Sequence, residues 1–135
     1  MSTYTSRIAA DNGAVSSLRH AFDEFLRSEV GMADPMTLDA AALVLTELAA
    51  NVVDHTDSDW IDLAAAATAT ELVLEVSHDG DVADIPPIDT WDRIGPDTDH
   101  PDRGHGLRLI RRLTSWIEID AADGSARVRC ALPLN

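Results

Sequence analysis

Apolar and polar residues along this chain change period several times, and each change predicts an element. Residues 4–10 alternate as an edge strand does, and Asn12-Gly13 breaks the alternation. Val15, Leu18, Phe22, Phe25 and Leu26 then recur at spacings of three and four, which predicts an amphipathic helix ended by Gly31. Asp34-Pro35 opens the next helix, with Asp34 as N-cap and Pro35 at the first helical position. Leu38, Ala42, Leu45, Leu48 and Val52 carry its apolar stripe to about His55. Residues 60–64 and 72–76 read as two strands, with Thr68-Ala69-Thr70 as the turn between them. Residues 81–102 sustain no period and hold Pro86, Pro87, Pro96 and Pro101 among many Asp, a long irregular segment of the kind that usually carries function. Leu107, Ile110, Leu113 and Ile117 predict a helix over 106–116, followed by a strand at 117–119, a turn at Asp123-Gly124 and a last strand ending in Leu132-Pro133-Leu134. Helices therefore cover one face of a mixed sheet, and the expected fold is an α/β two-layer sandwich.

Length fits this pattern to one domain spanning 1–135, enough chain for a real core and too little for a second. The formal charge of -14 argues against a nucleic-acid binder, since phosphate contacts need a positive field, and disfavours an anionic membrane surface for the same reason. All ten basic residues are Arg, a bias that carries no function by itself. The one cysteine, Cys130, sits in an alternating run where a small buried apolar residue is the usual role, and no disulfide framework is possible within the chain. The start of the chain lacks a basic flank followed by an apolar core, and no apolar run is expected to approach membrane-spanning length. The expected setting is the cytoplasm.

Chemistry enters with Glu47, Asn51 and His55, spaced four residues apart on one helical stripe. A carboxylate among Leu43, Val44 and Leu48 is poorly solvated, and general-base chemistry beside a metal-holding amide is one reason to keep it there; the solvated edge of an amphipathic helix is the plain alternative. Val76-Ser77-His78-Asp79-Gly80 ends a strand, and Arg103-Gly104-His105-Gly106-Leu107 opens a helix. Glycines at a helix entry let backbone amides and the helix dipole approach an anion, although an ordinary glycine-rich entry reads the same way. Arg103, Arg108, Arg111 and Arg112 cluster there, a candidate phosphate or partner contact, with solvated helix charge the better account of Arg111 and Arg112. Asp97, Asp99, His100 and Asp102 crowd oxygen and imidazole ligands, yet they follow no recognised metal loop, and a solvated acidic segment explains them better.

These three boxes, in this order, resemble the GHKL ATPase superfamily and its Bergerat (histidine-kinase-like ATPase) fold. Glu47, Asn51 and His55 resemble its N box, His78-Asp79-Gly80 its first glycine box, and Gly104-His105-Gly106-Leu107 its second. The short chain and the Glu-Leu-x-x-Asn-x-x-x-His wording look most like the anti-sigma-factor serine kinases. That resemblance implies an anti-sigma regulatory factor that binds a sigma factor and uses Mg-ATP to phosphorylate a serine of an anti-sigma-factor antagonist. It implies Glu47 as the base, Asn51 as the Mg²⁺ ligand, His55 packed or capping near the nucleotide, His78, Asp79, Gly80, Arg103, Gly104, His105, Gly106 and Leu107 around the ATP, and a lid over about residues 81–103. It also implies homodimers as a possibility. A histidine-kinase catalytic piece fits less well, because His20 lacks a following acid and a downstream proline.

The chain departs from the family pattern where the adenine amino group would be held. His78 stands in place of the first glycine box's Asp, Val82 in place of its second Gly, and the region of the usual threonine reads Gly124-Ser125-Ala126. Asp79 is no substitute, since adjacent strand residues point to opposite faces. A neutral imidazole could still meet the amino group through an acceptor nitrogen, so weak or altered nucleotide binding is expected in preference to a clean loss. The competing reading is a degenerate protein-binding module with weak or no ATP binding.

Overall fold

A computed structural model describes residues 2–30, 34–81, 85, 105–122 and 124–134. The order of elements is β1 (Ser2–Ala9), α1 (Asn12–Glu29), α2 (Pro35–His55), β2 (Trp60–Ala67), β3 (Glu71–His78), α3 (His105–Leu113), β4 (Trp116–Ala122) and β5 (Ser125–Pro133). The strands form one sheet in the order β1-β2-β3-β5-β4, with β1 at an edge as its sequence predicts. Every described pairing is antiparallel, so the sheet expected to be mixed is uniform. The reason lies in the connections. β2 and β3, and β4 and β5, are joined by short turns that can only reverse the chain, and the return from β3 through α3 enters at the far edge and brings β5 back against β3.

Side-chain alternation then decides the layers. Along β2 and β3 every second residue is buried, and Ile61, Leu63, Leu72, Leu74 and Val76 face the helices. α2 is the central helix, touching α1, α3, β3 and β5, and it buries Leu38, Val44, Leu45, Leu48 and Val52. Tyr4 on β1 packs on Phe22 and Phe25 of α1 at centroid distances of 5.5 and 5.3 Å, which fastens the edge strand to the helical layer. The opposite sheet face stays half-exposed and carries paired charges. Arg7 makes a bidentate contact with Asp62, and Arg127 makes one with Asp120 at 2.9 and 2.8 Å.

Local chemistry sets the ends. Asp34 caps α2 by accepting the Met36 N–H at 3.0 Å, with Pro35 behind it, as the sequence predicts. α1 is capped by Asp11, which accepts from Ala14, and ends one residue before Val30, whose N–H still reaches Leu26; Gly31 lies outside the described residues. β2 runs three residues past its expected end, because Ala65, Ala66 and Ala67 are held by ladders to β1 and β3 that outweigh their weak strand preference. α3 stops at Leu113 instead of 116. The Thr114 hydroxyl folds back on the Ile110 carbonyl at 2.8 Å, and Ser115 N–H donates to Ala131 O, which turns Trp116 into β4.

α2 also corrects the expectation about apolar length. With 21 residues and a mean hydropathy of 1.5 it is long and apolar enough to cross a membrane by length and composition. Its apolar stripe is spent on the core between α1 and the sheet, which is the arrangement of a soluble fold.

Candidate functional site

Several chain ends meet at one end of the sheet: the C-terminus of α2, the start of β2, the end of β3, the start of β5 and the first turn of α3. Between them lies a cavity of about 40 Å³ lined by Leu48, Asn51, Val52, His55, Thr56, Val76, His78, Ile85, Leu107 and Val128. Residues from three separate sequence boxes, Asn51 and His55, His78, and Leu107, thus share one space.

His78 is the last residue of β3, and strand alternation turns it inward, where it is only 2% exposed. Its Nδ1 lies 2.8 Å from Ser58 Oγ and accepts the Gly80 backbone N–H at 3.0 Å. A ring nitrogen that accepts a backbone N–H carries no proton of its own, so the proton of the neutral ring is on Nε2. Thr56 Oγ1, 3.0 Å from Ser58 Oγ, extends the chain of hydroxyls back to the end of α2. Gly80 belongs to this arrangement because a Cβ there would stand 2.7 Å from Nδ1 and 2.8 Å from Cε1. Asp79 is exposed and turned the other way, its Oδ1 accepting the Asp59 N–H at 3.2 Å. Ala126 on β5 is the direct cross-strand partner of His78 and is fully buried, so two of the three departures from the resembled pattern are neighbours in space.

Asn51 carries a polar atom that the cavity leaves unmet. Its Nδ2 is buried without a hydrogen-bond partner among the described residues, the kind of group that costs about 1–3 kcal/mol until something satisfies it. An acceptor in the cavity would do so, and a half-turn of the amide would offer Oδ1 to a cation instead. Glu47, one helical turn earlier, is half-buried and is not among the residues lining the cavity. Burial raises its pKa above the ordinary carboxylate range, the charge of Asp54 adds to the rise, and Arg19 opposes it. His55, exposed, ends α2 and reaches the rim.

His105 and Gly106 open α3, and Leu107 behind them is buried against the cavity. The first turn of α3, with its positive helix pole, therefore borders the space. Arg103 and Gly104 lie outside the described residues, as do the lid at about 81–103, apart from Asp81 and Ile85, and the acidic cluster at 97–102. Arg108 buries an Nε without a partner among the described residues, while Arg111 and Arg112 are exposed, as solvated helix charge should be. No group of three acidic, His or Cys residues fit for a metal occurs among the described residues. Cys130 is buried, its thiol pushed up to about 12 by desolvation, and takes no part.

Sequence reasoning missed Thr56 and Ser58. Their signal was the polar Thr-x-Ser run just after the N box, but its meaning depends on the register that sets Ile61 opposite His78.

The model for the histidine kinase-like ATPase domain matches residues 8–131. The chain belongs to that family. No curated protein matches the sequence. Among solved structures, the RsbU and RsbW domains of Rv1364c from Mycobacterium tuberculosis superpose with a TM-score of 0.70 at 18% identity, covering 99% of this chain and 33% of that one. This chain thus spans about a third of the mycobacterial chain's length. The Acinetobacter baumannii histidine kinase AdeS gives a TM-score of 0.54 at 13% identity over 100% of this chain and 70% of its own. At such identities the likeness is one of fold, and it agrees with the two-layer arrangement of this histidine kinase-like ATPase domain.

The fit of this domain to Mg-ATP is mixed. Asn51 and the first turn of α3 suit a phosphate group and its cation. His78 does not offer Nδ1 to the amino group of adenine, because that nitrogen already accepts the Gly80 N–H and lies against Ser58 Oγ. The expected acceptor nitrogen is thereby corrected: Gly80 and Ser58 hold it.

Proposed function

We propose that this chain is a single regulatory kinase domain of the anti-sigma type, acting in the cytoplasm, with a lid over about residues 81–103. In this reading it binds a sigma factor and phosphorylates a serine of an anti-sigma-factor antagonist. The observation that carries it is the convergence of Asn51, His55, His78 and Leu107 on one cavity, beside a half-buried Glu47 whose pKa is raised.

Each residue then has a task. Glu47 takes the proton from the partner's serine Oγ, and its raised pKa brings it toward the range where a base works well near neutral pH. Asn51 holds Mg²⁺ through Oδ1, and the amides at the start of α3, with Arg103, Gly104, His105 and Gly106, face the phosphates. His78 and Gly80 form the floor where the base lies, Asp79 steadies that floor through Asp59, and His55 shields the rim. Bound Mg-ATP supplies the phosphoryl group, and positioning accounts for most of the catalysis in such transfers. The surfaces for the sigma factor and the antagonist follow from resemblance alone.

A space of about 40 Å³ holds a water or two and falls far short of the several hundred Å³ that ligand sites usually offer. A nucleotide therefore needs more room than this cavity offers. That small volume and the polarity of His78 favour the second reading, a protein-binding module that has kept the fold and lost the chemistry. Phosphate transfer to candidate antagonists separates the two. The kinase reading expects labelled antagonist with the wild type and a loss of roughly 10²- to 10⁴-fold with Glu47→Gln. Wild-type protein that binds its partners and transfers nothing supports the module.

A further inference from the structure

We propose that the outer face of the sheet is the contact between two copies of this chain, related by a two-fold axis that runs along β3. The contact does not depend on nucleotide. The described helices pack on the other face, so among the described residues this one is left uncovered. Its extent is near what a dimer needs. Five strands of seven to nine residues, at roughly 4.8 Å between strands and 3.3 Å per residue, present on the order of 600 Å² from each copy.

Cross-strand register sets the outward side chains in rows. One row runs Arg7, Asp62, Ser77, Arg127 and Asp120 across the sheet from β1 to β4, a charge order of plus, minus, neutral, plus, minus. An axis along the central strand reverses the order of strands and leaves the rows in place, so β1 of one copy lies over β4 of the other. Every charge in the row then faces its opposite: Arg7 meets the partner's Asp120, and Asp62 meets the partner's Arg127. Bidentate pairs inside each chain, at 2.7 to 2.9 Å, already hold these charges in position.

Shape follows the same reversal. The β1–β2 half presents Thr3, Thr5, Ala64 and Ala66, with a groove of about 520 Å³ beside Thr5 and Ala64, whereas the β4–β5 half presents Trp116, Glu118 and Arg129. The axis lays large on small, Arg129 over the partner's Ala64 and Trp116 over the partner's Thr3. Glu75 meets its own copy at the axis, a repulsion that Arg127 at 3.4 Å and Arg129 at 3.8 Å offset. In the next row Val73, between Ala66 and Ala131, meets itself in an apolar strip. A chain of net charge -14 repels its copy, and a face whose two central rows set Arg7, Arg127 and Arg129 against four carboxylates lowers that cost.

Sedimentation equilibrium of the full chain tests this with two charge swaps that each keep the pair inside the chain: Arg7→Asp with Asp62→Arg, and Asp120→Arg with Arg127→Asp. The wild type is expected to be a dimer. Either swap sets like charge on like across the axis, so each variant alone is expected to be a monomer, its dimer weakened roughly a hundredfold or more. Mixed, the two variants face each other with opposite charges along the whole row, and a one-to-one dimer is expected to return. Thermal melts check that both are folded; should either fail to fold, Val73→Arg, which sets two arginines at the axis, is expected to dissociate the dimer in its place. A wild type that stays monomeric at millimolar concentration overturns the proposal and leaves the face to a different protein. A dimer that survives the swaps or Val73→Arg, or folded swap variants that do not pair when mixed, overturns it as well.

Discussion

Glu47 sits where a charge is costly, and this has a consequence for stability that is separate from catalysis. Its pKa is raised in the fold, first by desolvation and then by Asp54, so above that value the charged side chain works against folding. Below the ordinary carboxylate range the group is neutral in both states and the cost vanishes. Glu47→Gln is therefore expected to raise the melting temperature at pH 7 to 8, with the gain shrinking as pH falls through the folded and then the unfolded pKa. Melts across pH check it, and a gain that grows in acid would refute the burial argument. Gly80 makes a second residue-scale case. A methyl there would meet His78 Nδ1 at 2.7 Å and Ser58 Oγ at 3.0 Å, and the buried ring cannot yield without losing two hydrogen bonds. Gly80→Ala should cost about 1–3 kcal/mol in chemical denaturation and shift the His78 ring resonances; an unchanged midpoint would show that the ring moves freely.

At the scale of elements, α1 and β1 are joined through aromatic packing. Phe22 is 1% exposed and packs against both Tyr4 and Phe25, so Phe22→Ala should destabilise by about 3–5 kcal/mol and loosen β1, with hydrogen exchange rising first in Ser2–Ala9. Protection that falls evenly over the sheet would argue against that coupling. Such elements were legible wherever the period was strong: α2 runs from Asp34-Pro35 to His55 as its caps and apolar stripe indicate, and β1 is an edge strand. Boundaries set by other parts of the molecule were not. Nothing local in Ala65 to Ala67 asks for a strand, and Trp116 leaves the helix because Ala131 holds it in a ladder. The candidate site divides the same way. Asn51, His78 and Leu107 stand out by residue type and spacing, whereas the tautomer of His78 follows from the turn that brings Gly80 N–H back onto Nδ1, a fact of three-dimensional geometry that no spacing rule contains.

For the whole molecule, a net charge of -14 on 135 residues means self-repulsion that the outer-face pairs, such as Arg127 with Asp120 and Glu75, offset only locally. Adding salt to about 0.5 M should raise the melting temperature, since screening weakens the long-range repulsion more than it weakens contact pairs. A fall would mean that the ion pairs dominate. In the proposed function the boxes around Asn51, His78 and Leu107 form one nucleotide site. Amide and side-chain NMR spectra of the full chain, recorded while Mg-ATP is added, test it most directly. Saturable shifts are expected to begin at the Asn51 side-chain amide and the Leu107 backbone N–H, which border the cavity, and at the Gly80 N–H, which is bonded to the lining residue His78. Saturating nucleotide that leaves those signals unmoved, or moves only signals on the outer face of the sheet, would contradict it.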